Sequence, residues 1–343
     1  MTSVRLASEA DWPAWDAFAR KHASAFHLSA WPRAIRAVHG HAPVCLVAEE
    51  GGRITGLLPL VDKRSALFGR ALISVAFTVG RGVAAVTDAA RDALTARAAE
   101  EGAARRSAYV ELRGGAVPEG WTIKSGVYAG FGQELGDDED ARLTAIPRKK
   151  RADVRKGIKA AQAGDIEARV TGDLPGFWSR YARAQRDHGT PVLPFRLLSE
   201  LKRHLGDAME VTEVFAGHEP LAGVVTFYHR GTAHLYHAYI GQDARRHHAG
   251  DHLYWWMMGH ARARGCQHFD LGRSKLGTGS HAYKTYWGMT PEPLDYAYRL
   301  IGTDALPDIN PKNPKFAAMT RVWSKLPMPV ANALGPKLYG HLG

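Results

Sequence analysis

The stretch VTEVFAGHEPLAGVVTFYH, residues Val211–His229, has the pattern of two strands joined by a tight turn. A similar stretch, VCLVAEEGGRITGLLPLV, occupies Val44–Val61, and the two align without a gap at a constant offset of 167 residues. The aligned pairs are Val44 with Val211, Val47 with Val214, Ile54 with Leu221, Gly56 with Gly223, Leu57 with Val224, Leu58 with Val225 and Leu60 with Phe227. This match indicates an internal duplication, although two unrelated amphipathic hairpins would share part of the pattern.

The segments around the two hairpins repeat in the same order. Each hairpin follows two predicted helices and precedes a strand, a helix and a further strand, SAYVELR in the first half and HFDL in the second. The order predicts an α/β (α+β) fold with mixed sheets flanked by helices. We expect a first domain at 1–140, a second at 141–300 and a Pro-rich extension at 301–343.

The composition favours a negatively charged partner. The chain has 343 residues with 45 basic and 34 acidic side chains, a net charge of +11 and a pI near 9.7. Such an excess fits nucleic acid, nucleotide phosphates or an anionic membrane surface, and does not choose among them. The apolar content of 45% is ordinary for a soluble globular protein.

Cysteines and the N-terminus predict a cytoplasmic protein. Cys45 and Cys266 lie far apart in apolar strand-like runs, so the sequence indicates neither a disulfide framework nor a cysteine metal site. The stretch MTSVRLASEADW lacks the features of a signal peptide, and no apolar run approaches the length of a membrane span. The histidines His247, His248 and His252 are too weak a pattern to predict zinc, and we expect no metal.

The candidate site follows the last strand of the second half, in HFDLGRSKLGTGSHAYKTYWG, residues His268–Gly288. Gly272 is expected to end the strand, and Gly277 and Gly279 bracket Thr278. Glycines let backbone N–H groups approach a ligand, and Arg273, Lys275 and Lys284 supply positive charge. The stretch therefore predicts a site for an anion or a carbonyl oxygen, with a solvated basic turn as the alternative. The first half has RGGAVPEGW at the equivalent place, so the reacting groups are expected in the second half.

Individual residues near this stretch allow two interpretations each. Asp270 at the strand end is either a general base for an attacking amine or an ion-pair partner that orients Arg273. Tyr236 and Tyr239 on the preceding strand line a substrate cleft or pack in the core. Ser274 lacks the surroundings of a serine nucleophile and is expected only to contact substrate.

A basic segment, PRKKRADVRKGIKAAQAG, joins the two halves. On a helix, one face would carry Arg148, Arg151, Arg155 and Lys159, with Lys149 and Lys156 beside it. Such a face binds phosphates or nucleic acid, or forms a solvated linker helix.

The chain changes character from Pro291 onward, where eight of the 18 prolines fall in the last 53 residues. Its segments PKFAAMTRVWSKLP and PVANALGPKLYGHLG mix aromatic, apolar and basic residues. This extension either docks on the anionic inner membrane as a peripheral contact or packs against the body of the protein.

The complete pattern resembles the FemAB family, which transfers amino acids from aminoacyl-tRNA onto peptidoglycan precursors with two tandem GNAT-like domains. The resemblance covers nearly the whole chain and is strongest over 147–288. The motif FD-GRSK-GTG, followed by an aromatic-Lys pair and Trp-Gly, resembles the branch associated with exosortase, PEP-CTERM and exopolysaccharide systems.

The resemblance implies roles for particular residues. The pair Tyr283-Lys284 is similar to a Phe-Lys pair of Fem transferases whose lysine lies beside the acyl carbonyl of the donor. Lys284 would then stabilise a developing oxyanion, with backbone N–H groups around Gly277 to Gly279 as helpers, and no cofactor would be tightly bound. From the residues of the stretch and of the preceding strand, apart from the resemblance, we expect the substrate to contact Arg273, Ser274, Lys275, Gly277, Thr278, Gly279, Tyr236, Tyr239, Tyr283 and Trp287, with Asp270 as a further catalytic candidate.

The function implied is N-acyl transfer from aminoacyl-tRNA to a cell-wall or exopolysaccharide precursor. One alternative is an acetyltransferase that uses acyl-CoA on an amino sugar, but the segment ARRHHAGDHL carries only Gly250 where acetyl-CoA enzymes have a glycine-rich pyrophosphate loop. The other alternative is a non-catalytic binder of a phosphorylated glycan precursor.

Overall fold

The computed structural model describes residues 2–65, 69–79, 82–306 and 314–342. The strands are β1 (Ser3–Leu6), β2 (Ala42–Glu50), β3 (Arg53–Ser65), β4 (Gly69–Ser74), β5 (Ala84–Ala85), β6 (Tyr109–Arg113), β7 (Thr122–Glu134), β8 (Glu167–Thr171), β9 (Met209–Ala216), β10 (Glu219–His229), β11 (Thr232–Ile240), β12 (His268–Lys275) and β13 (Pro291–Leu300). The helices are α1 (Trp12–His22), α2 (Ala30–His39), α3 (Asp88–Ala104), α4 (Glu139–Ala145), α5 (Arg148–Gln162), α6 (Leu174–Asp187), α7 (Phe195–Leu205), α8 (Ala249–Ala263), α9 (Gly279–Tyr286), α10 (Pro314–Trp323) and α11 (Met328–Leu342).

One mixed sheet runs through both halves of the protein. Its order is β1-β2-β3-β4-β6-β13-β7-β12-β11-β10-β9-β8, with β5 paired to β3 at the side. The order is the same when counted inward from either edge, with each half contributing a hairpin, β2-β3 or β9-β10, at the aligned positions. The predicted α/β (α+β) class, a mixed sheet flanked by helices, is therefore confirmed, and the two halves repeat one order of strands.

The two halves exchange strands at the middle of the sheet. β7 belongs to the first half in sequence but pairs with β12 of the second, and β13 from the second half pairs with β6 of the first. β7 and β13 also pair with each other and so join the halves. The sheet therefore continues across the expected boundary near residue 140.

The largest hydrophobic cluster lies between the halves. Trp15, Trp31 and Phe177 come from α1, α2 and α6 and are at most 1% exposed. The polar atom of the buried Trp15 indole has a partner, since Nε1 donates to the carbonyl of His27 at 2.6 Å. Burying an aromatic side chain of this size stabilises the fold by about 1.5–3 kcal/mol. The helices of one half are thus held against those of the other by apolar packing.

The glycine shared by the two hairpins is required by close packing. A Cβ on Gly223 would lie 2.7 Å from Tyr239 Cε1 and 2.9 Å from Glu213 Cγ, and one on Gly56 would lie 2.8 Å from Leu94 Cδ1. We expect Gly223→Ala to lower the free energy of unfolding by about 1–3 kcal/mol, because overpacking forces neighbours to shift. The measurement is urea denaturation followed by circular dichroism.

The control for this substitution is Gly259→Ala in α8. A Cβ there meets no atom within 4 Å. Alanine should therefore raise the free energy of unfolding by about 0.5–1 kcal/mol through helix propensity. Equal effects of the two substitutions would contradict the packing argument.

The structure differs from the sequence-based expectation at the end of β12. Gly272 does not end this strand, which continues to Lys275 through an irregular register between Asp270 and Arg273. Gly272 has a φ of 64°, a left-handed conformation that glycine adopts without strain. The strand therefore bulges where the candidate site begins.

Most of the extension packs against the body of the protein, with residues 307–313 outside the described ranges. The ring of Tyr339 in α11 stacks on that of Phe77 at 5.5 Å between centroids, and Arg186 in α6 donates to the carbonyl of Ser324 at 3.3 Å. Met319 and Val322 of α10 remain 61% and 64% exposed. None of the helices in the described part of the chain is long and apolar enough to cross a membrane.

Candidate functional site

A cleft of about 790 Å³ opens beside the bulge of β12. β11 and β12 run parallel for three residue pairs, the last of which joins His234 to Asp270, and then separate. The opening between the two strands gives their polar side chains access to solvent. The opposite wall comes from the first half and includes Phe26 and His27. The cleft thus combines the end of a parallel strand pair with a surface of the other half.

His234 and Asp270 form a hydrogen-bonded pair in this cleft. His234 Nδ1 lies 2.7 Å from Asp270 Oδ2, and the second carboxylate oxygen accepts the N–H of Gly272 at 2.7 Å. The bulge therefore fixes the carboxylate, and the carboxylate fixes the imidazole. The edge of the Phe26 ring packs against His234 at 5.4 Å. Within the described residues His234 Nε2 has no hydrogen-bond partner, so it is available to a ligand.

The contact that one of the two interpretations of Asp270 expects is not found. Arg273 does not pair with Asp270: its guanidinium donates to the hydroxyl of Tyr296 and lies 4.6 Å from the ring centroid of Tyr128. Asp270 orients His234 instead. Sequence reasoning missed His234, although a polar residue within the apolar strand TAHLYHAYI was an available signal.

Lys284 lies behind the bulge rather than in the cleft. Its ammonium donates to the carbonyls of Leu271, Gly272 and Arg273 at 2.6, 3.3 and 2.9 Å. Burial lowers its pKa to about 8; the Asp270 carboxylate opposes this shift, and Arg273 adds to it. The three N–H donors are thus used on three successive backbone carbonyls of the bulge. An oxyanion would have to displace one of these carbonyls.

The Gly-Thr-Gly segment forms the start of α9. The Thr278 side chain caps the helix by accepting the N–H of His281 at 3.3 Å, and Gly277 has a φ of 73°. Ser274 is buried, with its hydroxyl 2.8 Å from that of Ser280. These contacts shape the turn, and the residues from Lys275 to Gly279 lie outside the walls of the cleft.

Four aromatic residues predicted to contact substrate pack in the protein interior to different degrees. Tyr239 is 3% exposed and donates to Glu213 at 2.7 Å, and Trp287 is fully buried. These two predictions are wrong, because both side chains belong to the core. Tyr236 and Tyr283 are only partly buried. Tyr236 donates to the carbonyl of Phe77 at 3.3 Å, and the Tyr283 hydroxyl lies 3.4 Å from the Asp251 carboxylate.

The basic segment forms helix α5, as expected. Its exposed side chains are Arg148, Lys149, Arg155, Lys156 and Lys159. Arg151 turns back to the protein, donating to the carbonyls of Thr144 and Ile146 at 2.7 and 2.9 Å. Arg151 therefore caps the preceding segment, and the five exposed cations face solvent.

Lys150 in the same segment is buried and was not predicted. It is 3% exposed and forms an ion pair with Asp251 of α8. Its ammonium also lies 4.8 Å from the ring centroid of Tyr283 and 5.0 Å from that of Trp287. Cation–π contacts of this kind add to the ion pair. Lys150 thus connects α5 and α8 with α9, the helix that carries Lys284.

Helix α5 also covers the beginning of α8. A Cβ on Gly157 would lie 3.2 Å from both the carbonyl oxygen of His248 and the backbone nitrogen of His252. The first turn of α8 is therefore in close contact with another helix. Gly250 lies against Ile240, where a Cβ would be 3.2 Å from Cδ1. Among the described residues no group of three or more His, Cys, Asp or Glu side chains could hold a metal ion.

Comparisons with known proteins agree with this architecture. A family model described as acetyltransferase (GNAT) domain matches residues 148–285, and a search of curated proteins finds no match. FemX has a similar fold, with a TM-score of 0.68, 14% identity, and coverage of 88% of this chain and 98% of FemX. L-PGS from Bacillus licheniformis also has a similar fold, with a TM-score of 0.56, 12% identity, and coverage of 94% of this chain and 99% of L-PGS.

A third structure supports the tandem arrangement. A tandem GNAT protein from the clavulanic acid biosynthesis pathway gives a TM-score of 0.51 at 11% identity and covers 89% of this chain and 100% of its own. The exosortase-associated branch stays a prediction. The protein has a FemAB-like tandem GNAT fold, and residues 148–285 in its second half match the model of a GNAT acetyltransferase domain.

Proposed function

We propose that the protein forms an amide in the cleft, with His234 as the general base. The amine of the acceptor attacks the carbonyl carbon of an activated acyl group, and His234 Nε2 takes the proton that the amine loses. The new C–N bond forms as the bond to the leaving group breaks, and the proton then returns to that group. The hydrogen bond of 2.7 Å between His234 and Asp270 carries this proposal, because it orients the imidazole toward the cleft.

Asp270 orients the base directly, and Lys284 acts on it through the backbone of the bulge. The Asp270 carboxylate lies 2.7 Å from His234 Nδ1, next to the positive charge that the ring carries once Nε2 has taken the proton. Lys284 fixes the three carbonyls of the bulge that presents the Gly272 N–H to Asp270. The role of Lys284 in oxyanion stabilisation, implied by the FemAB resemblance, requires the loss of one of these contacts in the transition state.

The start of α8 argues against acyl-CoA as the donor. Acetyltransferases of the GNAT family use acyl-CoA, whose pyrophosphate suits the free N–H groups of a helix N-terminus. In this protein Gly157 of α5 packs on that turn, and Lys150 of α5 forms an ion pair with Asp251 in the same turn, so α5 covers the start of α8. The residues of the second half therefore do not fit coenzyme A at this position.

An aminoacyl ester on tRNA agrees better with the charges of α5. Five exposed cations lie on this helix, and its single acidic residue, Asp153, pairs with Lys156 at 3.4 Å. Such a helix can contact successive phosphates of a nucleic acid without specificity for the base sequence. The acceptor is then an amine on a cell-wall or exopolysaccharide precursor, as in the FemAB family. Acyl-CoA transfer to an amino sugar, which the GNAT domain match favours, is the alternative.

The donor is tested by tRNA binding at several salt concentrations. Replacing Arg155 and Lys159 with Gln should weaken binding about tenfold at low salt and lower the slope of log K against log salt by about 1.5, because two phosphate contacts are lost. The readout is fluorescence anisotropy with labelled tRNA.

A matched pair of substitutions controls for the change of net charge. Arg53→Gln with Arg183→Gln removes two exposed cations outside α5, and binding should stay close to that of the unmodified protein. If both double variants bind equally well, the tRNA donor is excluded. Transfer of an acyl group from acyl-CoA, seen by mass spectrometry of the acceptor, would support the alternative donor.

A further inference from the structure

Large apolar side chains at the surface are concentrated in the C-terminal segment. Eleven of them are well exposed in the described part of the chain, and four of these eleven lie within residues 319–334. They are Met319 and Val322 on α10, 61% and 64% exposed, and Val330 and Leu334 on α11, 40% and 43% exposed. Single exposed apolar residues are common, whereas such a concentration marks an interaction surface.

The two helices present these side chains from a fixed position. A Cβ on Gly189, which follows α6, would lie 2.5 Å from the carbonyl oxygen of Thr320 in α10. On α11, Ala331 is buried, and a Cβ on Gly335 would lie 3.1 Å from the backbone nitrogen of Val192. Each helix therefore packs on the body of the protein with one side and exposes apolar groups on another.

The same segment is uniformly basic. Residues 309–343 contain no Asp or Glu and five basic side chains, which are Lys312, Lys315, Arg321, Lys325 and Lys337. The last three are exposed, and none of them forms an ion pair with a described residue. Val330, Leu334 and Lys337 follow one another at helical spacing, so a cation borders the apolar side of α11.

We propose that the exposed sides of α10 and α11 form a C-terminal surface that docks on a bilayer containing anionic phospholipids. The four apolar side chains enter the boundary between headgroups and acyl chains, and the three exposed cations contact lipid phosphates. The binding depends on both contributions, because the buried apolar area and the attraction to anionic lipid add to one another.

The charge argues against a second copy of the chain on this surface. Two copies related by a two-fold axis would place the same patch against itself. The cations of each copy would then face one another, with no acidic side chain within residues 309–343 to compensate them. An anionic bilayer supplies the opposite charge over the whole surface.

Co-sedimentation of the full chain with lipid vesicles tests the surface. Vesicles of equal parts phosphatidylglycerol and phosphatidylcholine should bind the protein about tenfold more tightly than phosphatidylcholine alone. Raised salt should weaken this binding, because it screens exposed charges. Replacing both Met319 and Val322 with Gln, or both Arg321 and Lys325 with Gln, should in each case weaken binding to the anionic vesicles about tenfold.

Two control pairs are matched to these variants. Ile123→Gln with Val170→Gln removes two apolar side chains that are 49% and 42% exposed on β7 and β8. Arg53→Gln with Arg183→Gln removes two exposed cations. Both control pairs should bind anionic vesicles like the unmodified protein, and unchanged circular dichroism would show that every variant folds.

Three results would overturn the proposal. The first is that the unmodified protein does not bind the anionic vesicles. The second is that the C-terminal variants bind as tightly as the two control pairs. The third is a dimer, measured by analytical ultracentrifugation, that Met319→Gln with Val322→Gln dissociates, because a second copy would then cover the surface. The measurement needs no acyl donor, so its failure would leave amide formation in the cleft unaffected.

Discussion

Replacing His234 with Gln lowers kcat/KM for amide formation by about 10²–10⁴-fold, the usual contribution of a general base. Glutamine keeps a polar side chain of similar reach but cannot accept and carry the proton at Nε2. Acceptor affinity should change little, because the imidazole acts on the amine during bond formation. Initial rates and equilibrium binding of the acceptor, measured on the same variant, separate the two effects.

Controls in the same cleft make this result specific. His268→Gln changes another histidine of the cleft wall, one that is exposed, and should leave the rate nearly unchanged. Added imidazole should partly restore activity to His234→Gly, since a free base can occupy the space. If His234→Gln retains full activity, the base is not His234 and the proposed mechanism is wrong.

Replacing Lys150 with Ala lowers the free energy of unfolding by about 3–5 kcal/mol, because the substitution leaves the largely buried Asp251 carboxylate without its partner. The loss of contacts with Tyr283 and Trp287 adds to this effect. Urea denaturation of the purified variant provides the measurement.

Two variants show whether the buried charge is responsible. Lys156→Ala removes a lysine of the same helix that is 58% exposed, and should change stability by less than about 0.5 kcal/mol. Combining Lys150→Met with Asp251→Leu removes both charges and should recover most of the loss. A loss in the double substitution as large as that in Lys150→Ala would instead indicate a packing effect.

The sequence was sufficient to predict the duplicated fold. The hairpins around Gly56 and Gly223 align at one offset because each has two apolar strands joined by a tight turn, which is a local pattern. Their strand pairing nevertheless differs by two residues, since Val44 pairs with Leu60 but Val211 pairs with Val225. Helix α5 was predicted for the same reason, since its basic residues recur at helical spacing. Local patterns of this kind do not depend on residues far away in the chain.

The candidate site was predicted less completely because it depends on contacts between distant segments. Asp270 was found from its place at a strand end, but its partner His234 lies 36 residues earlier on a neighbouring strand. Lys150 and Asp251 are 101 residues apart, so the ion pair left no local signal. Tyr239 and Trp287 were misassigned because an aromatic residue beside a motif has the same pattern in a cleft and in a core.

The exchanged strands constrain how the chain can acquire its structure during synthesis. β6 ends at Arg113 and its neighbour β13 begins at Pro291, so the middle of the sheet cannot close until nearly the whole chain has left the ribosome. Until then, the edge of β6 that β13 will cover is unpaired, and an unpaired strand edge can pair with other chains. A fragment that stops before β13 should therefore need a chaperone to stay unaggregated, whereas the complete chain closes its own sheet.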